Sequence, residues 1–332
     1  MRVLLLSRSA SLYSTSRLVL AARARGHEIL VADPLDFHVV VSKGHPSLYL
    51  GDLPAPEIDI VIPRIGASIT SYGVAVVRQF DMMGVPVLNT AIAISRSRDK
   101  LRAMQLLTKK HIDVPTTVCA RTPDAVPVAL GLVGTPAIVK LQQGTQGIGT
   151  MIAETPQAVS SLLETLWAMG QDIILQEYIA ESRGRDLRVI VVGSRVVASM
   201  RRQAKSGEFR SNLHRGGLGV RVRLDPRYAQ AAVAAVKVMG LEVAGVDMLE
   251  SKSGPKILEI NSSPGLEGIE RTSGIDVAGA IIRHAERFLL RRSKKRRSRD
   301  AALDHERRHR RVRESSDDVG GGEKVRRAAN RA

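Results

Sequence analysis

The chain has 332 residues, 44% of them hydrophobic, which is long enough for two or three domains with ordinary apolar cores. A single cysteine, Cys119, excludes an internal disulfide framework and any cysteine-based zinc cluster, and no apolar run approaches a membrane span, so a cytoplasmic protein is expected. The net charge of +17 is uneven: residues 291–332 carry 16 Lys/Arg against 7 Asp/Glu, which leaves +8 for the first 290.

The first segment alternates. "RVLLLS" reads as a strand, "SRLVLAARARG" as a helix ending on Gly26, and "HEILVADP" as a second strand. "IDIVIPRIG" is a third strand, "YGVAVVRQFDMMG" a helix ending on Gly84, and "VPVLNT" a short fourth strand. Such alternation predicts a parallel sheet with helices on both faces. No dinucleotide fingerprint follows the first strand, so NAD is not expected. One long helix is predicted over about 91–111. "PAIVKLQ" and "TMIAE" then read as strands joined by a glycine turn, with a helix over "PQAVSSLLETLWAMG" and a strand over "DIILQEYI". "DLRVIVVGSRVVASMRR" has the pattern of an antiparallel hairpin, "PRYAQAAVAAVKVMG" of a helix, and "EVAGVDMLES" with "PKILEINSS" of a second hairpin. A last helix leads into the tail.

The glycine turn "KLQQGTQGIGT" places Gly144, Gly147 and Gly149 after Lys140. A P-loop would put its lysine after the glycines and at a helix start, so this is a different device. Backbone N–H groups at a glycine hairpin tip can close over phosphates. An ordinary hairpin tip fits the turn equally well.

Asp247 lies on one predicted strand, and Glu259 and Asn261 on the next. Residues two apart on a strand share a face, so three oxygen-bearing side chains converge on one side of the hairpin. Hard oxygens suit magnesium, and two acids flanked by apolar residues need a cation or hydrogen-bond donors to be buried; satisfied surface acids are the bland alternative. "IILQEYI" ends an apolar strand at Glu177, Tyr178 and Ile179, where backbone groups can bond the edge of an adenine and Asp186 can take ribose hydroxyls. An interdomain strand fits as well. Lys100, Lys140, Arg188, Arg201, Arg202, Lys205, Arg210 and Arg215 intersperse with glycine loops, which favours ATP and substrate over a nucleic-acid face. His214 reads as a hydrogen-bonding loop residue and Cys119 as structural. The 291–332 tail has too few large apolar residues for a core and reads as disordered, either a solvated tail or an electrostatic contact for RNA or ribosomes.

Together these residues resemble the ATP-grasp superfamily. The segments "LNTAIAISRSRDKLRAMQLL", "GTQGIG", "LQEYI", "FRSNLHRGG", "VAGVD" and "EINSSPGLEGIE" are similar to the RimK family over about residues 1–290. Those enzymes are ATP-dependent ligases that add glutamate to the C-terminus of the sixth small-subunit ribosomal protein. The resemblance implies an α/β and α+β architecture: an N-terminal parallel-sheet pre-ATP-grasp domain over 1–95, a central ATP-grasp subdomain with the flap over 96–178, and a C-terminal one with the metal site over 179–290. The nucleotide would sit between the latter two. Lys100 and Lys140 would contact ATP, and the flap glycines would close over its phosphates. Glu177, Tyr178, Ile179, Ala180, Glu181, Ser182, Arg183, Gly184, Arg185 and Asp186 would line the nucleotide, continued by Arg210, Ser211 and Asn212. Asp247, Glu259 and Asn261 would hold two Mg2+ or Mn2+ ions. Arg188, Arg202 and Arg210 would neutralise the transferring phosphoryl group. L-glutamate, a ribosomal-protein or ribosome acceptor and a homo-oligomer are the implied partners, with no membrane. The tail is outside the resemblance. Two other readings stay open: a ligase acting on a small cofactor or carrier protein, and a basic ribosome- or RNA-binding protein with a vestigial nucleotide site.

Overall fold

The computed structural model describes residues 1–142, 149–205, 217–294 and 298. It divides into a unit spanning Met1–His284 and a second spanning Ala285–Ala332, whose described residues 285–294 and 298 are helical.

In the first unit, the apolar run Arg2–Leu6 forms β1, followed by α1 (Tyr13–Arg23) and β2 (Glu28–Ala32). A small antiparallel sheet that the alternation does not foreshadow comes next: β3 (Phe37–Val40), β4 (Ser47–Leu50) and β5 (Leu53–Pro54). Strand β6 (Ile60–Pro63) then returns beside β1, giving the predicted parallel sheet in the order β2-β1-β6. Helix α2 (Thr70–Met82) packs Phe80 edge-on against Phe37 with centroids 5.5 Å apart. Its Gln79 donates to the carbonyls of Val40 and Ser47 and so pins the small sheet. The fourth strand expected at "VPVLNT" is reduced to a single parallel bridge between Val61 and Val87. Leu88 N still reaches Val61 O at 2.9 Å, but the Asn89 side chain is engaged by residues 242, 243 and 262 and the ladder ends.

The single helix predicted over 91–111 is two, α3 (Ala91–Arg98) and α4 (Lys100–Thr108). Asp99 separates them. Its backbone is extended (φ −84°, ψ 101°) and its carboxylate accepts from Arg102 N at 3.0 Å, so it caps α4 instead of continuing α3.

Next come β7 (Thr117–Val118), α5 (Val126–Val133), β8 (Ala137–Leu141), β9 (Thr150–Ala153), α6 (Pro156–Ala168) and β10 (Ile173–Glu177). The strands form an antiparallel sheet, β7-β10-β8-β9. Ala137, Val139, Ile173 and Leu175 pack with Val126, Val133, Val159 and Leu163 of α5 and α6. The period of two leaves Thr117, Lys140 and Gln176 on the other face.

The last sheet contains β11 (Arg185–Val192), β12 (Arg195–Gln203) and β13 (Leu218–Arg221), then β14 (Val243–Ser251) and β15 (Gly254–Asn261), in the order β13-β12-β11-β14-β15. Both predicted hairpins are present. Between them lies α7 (Pro226–Met239), started by Asp225, whose side chain accepts from Arg227 N, and Pro226, and stopped by left-handed Gly240. Its buried stripe of Tyr228, Ala232, Ala235, Val236 and Met239 covers Leu187, Val189, Val246, Met248, Ile257 and Ile260, together with Met104 and Leu107 of α4. Asp247 pairs with Glu259, but Met248 pairs with Ile257, so Leu258 is the extra residue of a β-bulge. A short α8 (Glu267–Ser273) follows, and residues 277–284 are helical. Among the described residues no helix is long and apolar enough to cross a membrane.

Candidate active site

The face of the last sheet opposite α7 carries the charged residues. Register sets Asp186 opposite Arg202, Arg188 opposite Asp247, Asp247 opposite Glu259, and Gly245 opposite Asn261. Cross-strand partners share a face, so these side chains form one layer. The predicted convergence of Asp247, Glu259 and Asn261 is thus present in the structure.

Asp247 is buried and grips Arg188 through two hydrogen bonds, Nε–Oδ1 at 2.7 Å and Nη2–Oδ2 at 2.5 Å. Arg202 Nη2 approaches the same Oδ2 at 3.0 Å, while its fork is closed by Asp186. Burial alone would push the Asp247 carboxyl up. The Arg188 and Arg202 guanidiniums outweigh it and hold the group at about 2. Burial likewise opposes the Arg202 charge, but Asp247 and Asp186 hold it above its ordinary range. These two arginines therefore form an ion-pair network behind the acids.

Glu259 has no such backing. Burial and the neighbouring Asp247 charge raise its pKa, opposed by Lys100, Arg188 and Lys140. Lys140 is pushed down to about 8 by burial, which the Glu259 charge only partly offsets. Its Nζ donates to Gln176 Oε1 at 2.5 Å, and Gln176 Nε2 donates to Thr117 Oγ1 at 2.8 Å. Lys100, the first residue of α4, donates to the carbonyls of Leu141 and Gln142, both at 3.2 Å, at the base of the glycine loop. Its pKa too is lowered by burial. Gly149 closes that loop with φ +74°, and a Cβ there would meet Leu141 side-chain atoms at 2.7 Å, so only glycine fits. Two lysines thus sit within electrostatic reach of Glu259.

The strand-end residues Glu177–Asp186 are held differently from one another. Glu177 N donates to Thr116 O, and its carboxylate accepts from Thr116 N at 3.0 Å. Ile179 is buried and Tyr178 half-buried, while Ala180, Glu181, Arg183 and Arg185 are exposed. Glu181 accepts from Lys252 N, and Arg185 donates to Glu181 O. Ser182, next to buried Gly184, exchanges hydrogen bonds with both backbone groups of Glu250, at 2.8 and 2.7 Å. Gly144, Gly147, Arg210, Ser211, Asn212, His214, Arg215 and the tail beyond 298 lie outside the described residues. Cys119 is exposed.

The sequence reading missed Asn89, Arg64 and Arg98. Asn89 is buried and saturated: it donates to Val243 O (2.8 Å) and Ser262 O (2.9 Å), and accepts from Glu242 N (2.7 Å) and Val243 N (3.0 Å). Its two partner segments are the start of the Asp247 strand and the residue following Asn261. The sequence signal was present: an isolated asparagine closing an apolar strand has no local use.

Residues 97–285 match the RimK-like ATP-grasp domain, and residues 1–94 match the RimK PreATP-grasp domain. The chain belongs to the RimK-like ATP-grasp family. Relatives named probable alpha-L-glutamate ligase, from Ectopseudomonas mendocina and Azotobacter vinelandii, are each 52% identical over 288 residues, or 86% of this chain and 96% of theirs. Among solved structures, the ATP-grasp ligase PsnB complexed with its minimal precursor aligns with a TM-score of 0.68 at 21% identity, covering 85% of this chain and 98% of that one. The D-alanine–D-alanine ligase of Bacillus anthracis complexed with ATP aligns with a TM-score of 0.65 at 17% identity, covering 89% and 99%. The fold is ATP-grasp, with the parallel-sheet segment of the RimK family in front, and the protein is an ATP-dependent carboxylate–amine ligase. The expected fold class and reaction type are both borne out.

Proposed function

We propose that this RimK-like ligase joins L-glutamate through its amine to the C-terminal glutamate of the sixth small-subunit ribosomal protein. Support comes from the relatives' names together with one observation: two acids face each other on β14 and β15, with Lys100 and Lys140 within electrostatic reach. The division into 1–95, 96–178 and 179–290 is part of this reading.

The donor set fits magnesium or manganese. Asp247, Glu259 and the Asn261 carboxamide supply hard oxygens from one face of the hairpin. A carboxylate offers about four lone-pair sites, and the arginines use three on Asp247. Two ions held by Asp247, Glu259 and Asn261 would neutralise charge on the nucleotide's phosphates. Lys100, Lys140 and Gly149 would hold the phosphates at the base of the glycine loop, with Gly144 and Gly147 in the same closure. Glu177–Asp186 and Arg210–Asn212 would line the nucleoside.

A carboxylate resists attack because of its negative charge. Its oxygen takes the γ-phosphoryl group as ADP leaves. The amine nitrogen then attacks the acyl carbon, phosphate departs and a proton is lost to solvent. No protein nucleophile takes part, so the site works by positioning and charge neutralisation. Arg188 and Arg202 contribute by fixing Asp247 in its charged form.

The test is intact-mass spectrometry of small ribosomal subunits after incubation with the protein, ATP, magnesium and glutamate. Mass steps of one glutamyl unit on a single ribosomal protein, absent with Asp247→Ala, are expected. ADP release with a small carboxylate but no ribosomal product would move the acceptor to a cofactor or carrier protein.

A further inference from the structure

Beyond the acids, the loop following β15 exposes an imbalance that the reaction above does not use. Among the described residues, Asn261 Nδ2, Ser262 Oγ and Ser263 Oγ are buried with no hydrogen-bond partner. Three such groups in one tripeptide are unusual, since buried polar atoms are nearly always paired. Ser262 lines a cavity of about 10 Å³ with Arg64 and Asn89, room for roughly one water, which accounts for its hydroxyl.

Two arginines stand beside this loop. Arg64 donates to Pro264 O at 2.6 Å, and Arg98 donates to Ile65 O at 2.5 Å. Each guanidinium has five N–H donors, and a single backbone carbonyl satisfies one. Arg98 Nε is buried without a partner. Neither arginine has a carboxylate within ion-pair distance among the described residues, whereas Arg188, Arg201 and Arg202 all do. The bonds trace a contiguous path, from Arg98 to Ile65, through Arg64 to Pro264, and back along the loop to Ser263 and Asn261. Burial disfavours both charges, lowering Arg64 to about 10, and Arg98 is partly compensated by Glu259 nearby. Every unsatisfied nitrogen here is a donor, so the missing group is an acceptor with negative charge.

We propose that Arg64 and Arg98, with Asn261 Nδ2 and Ser263 Oγ, form an anion subsite that seats a carboxylate of the incoming amino acid. It rests on the ligase reading above. Arginine's fork matches a carboxylate in two-bond geometry, and the subsite adjoins Glu259, where the phosphoryl group would be transferred. The phosphates of ATP are the other source of such an anion, but Lys100 and Lys140 already serve them at the glycine loop.

The test measures binding of L-glutamate by calorimetry to the full chain saturated with a non-hydrolysable ATP analogue and magnesium. Arg98→Ala should raise the dissociation constant for glutamate roughly thirtyfold or more, the low end of the cost of removing one partner of a buried charge pair. The nucleotide affinity should stay within about twofold. Ser263→Ala, a smaller change that spares the charge, should give a several-fold rise. L-glutamine and L-isoglutamine each lack one carboxylate, and for one of them the Arg98→Ala penalty should vanish, which a purely structural role would not produce. Unchanged glutamate binding in both variants, or a shift confined to nucleotide, overturns the subsite while leaving the ligase reading intact. Failure of the unmodified chain to bind glutamate overturns both.

Discussion

Replacing Asn89 by alanine removes four hydrogen bonds between buried groups at one stroke. The side chain bonds two carbonyls, of Val243 and Ser262, and two amides, of Glu242 and Val243, over 2.7–3.0 Å. Leaving a buried backbone group unsatisfied costs about 1–3 kcal/mol, so four of them amount to at least about 4 kcal/mol. That is a large share of the 5–15 kcal/mol typical of a whole domain, roughly stated. Urea denaturation followed by circular dichroism should show this loss as a lower midpoint at unchanged slope. Asn89→Asp should be no better, since it keeps the two accepted bonds but turns a negative charge toward two carbonyls. Ile92→Ala, at a side chain 60% exposed, serves as a control and should cost under about 0.5 kcal/mol. A loss below about 1 kcal/mol in Asn89→Ala would mean that the four groups find other partners. The claim that this residue ties the first segment to the ends of the strands carrying Asp247 and Asn261 would then be wrong.

Four further outcomes are expected. Glu259→Gln should abolish turnover yet hold or raise the melting temperature, because it relieves repulsion from Asp247. Asp247→Asn should abolish turnover and also destabilise by about 3–5 kcal/mol, because Arg188 and Arg202 lose a buried partner; equal melting temperatures for the two variants would contradict the electrostatic description. Lys140 is held at about 8 without nucleotide, so above that pH phosphate binding should take up a proton. Calorimetry in two buffers of different ionisation enthalpy should detect the uptake near pH 8.5, and its persistence in Lys140→Met would assign it elsewhere. The sign for folding is set by the same depression: the cost of burying the charge is present below pH 8 and is relieved as pH rises toward the ordinary lysine range. Gly245→Ala places a Cβ 2.8 Å from Pro264 Cβ, so it should cost about 1–3 kcal/mol as overpacking and weaken glutamate binding by shifting the carbonyl that Arg64 holds.

What the sequence showed and hid divides along physical lines. Strand and helix alternation, the two hairpins and the shared face of Glu259 and Asn261 are local properties, and periodicity reports them directly. The break at Asp99 is also local, but a capping aspartate inside a helical pattern competes with an unbroken apolar stripe, and the stripe alone predicts one helix. The pairing of Arg188 with Asp247 depends on which strands become neighbours and in what register, which no window of sequence contains. The same holds for Asn89, Arg64 and Arg98, whose partners lie about 150 to 200 residues away or on a neighbouring segment. The N-terminal segment reads as a separate parallel sheet, and only its contacts show that Arg64 and Asn89 reach the residues flanking Asp247 and Asn261.

The extra residue at Leu258 has a consequence for how the chain tolerates change. Ile257 and Glu259 are two apart and would ordinarily point the same way, yet one is fully buried under α7 and the other faces the lysines. The bulge reverses the phase between them, so a tract facing α7 and a tract facing the lysines can follow each other on one strand. Deleting Leu258 would leave a regular ladder with Glu259 still opposite Asp247, whereas losing or adding one residue between Glu259 and Asn261 would turn one of the two toward α7. In this stretch, counting is as strictly constrained as chemistry, and insertions or deletions of a single residue between Glu259 and Asn261 should be rarer among active variants than substitutions.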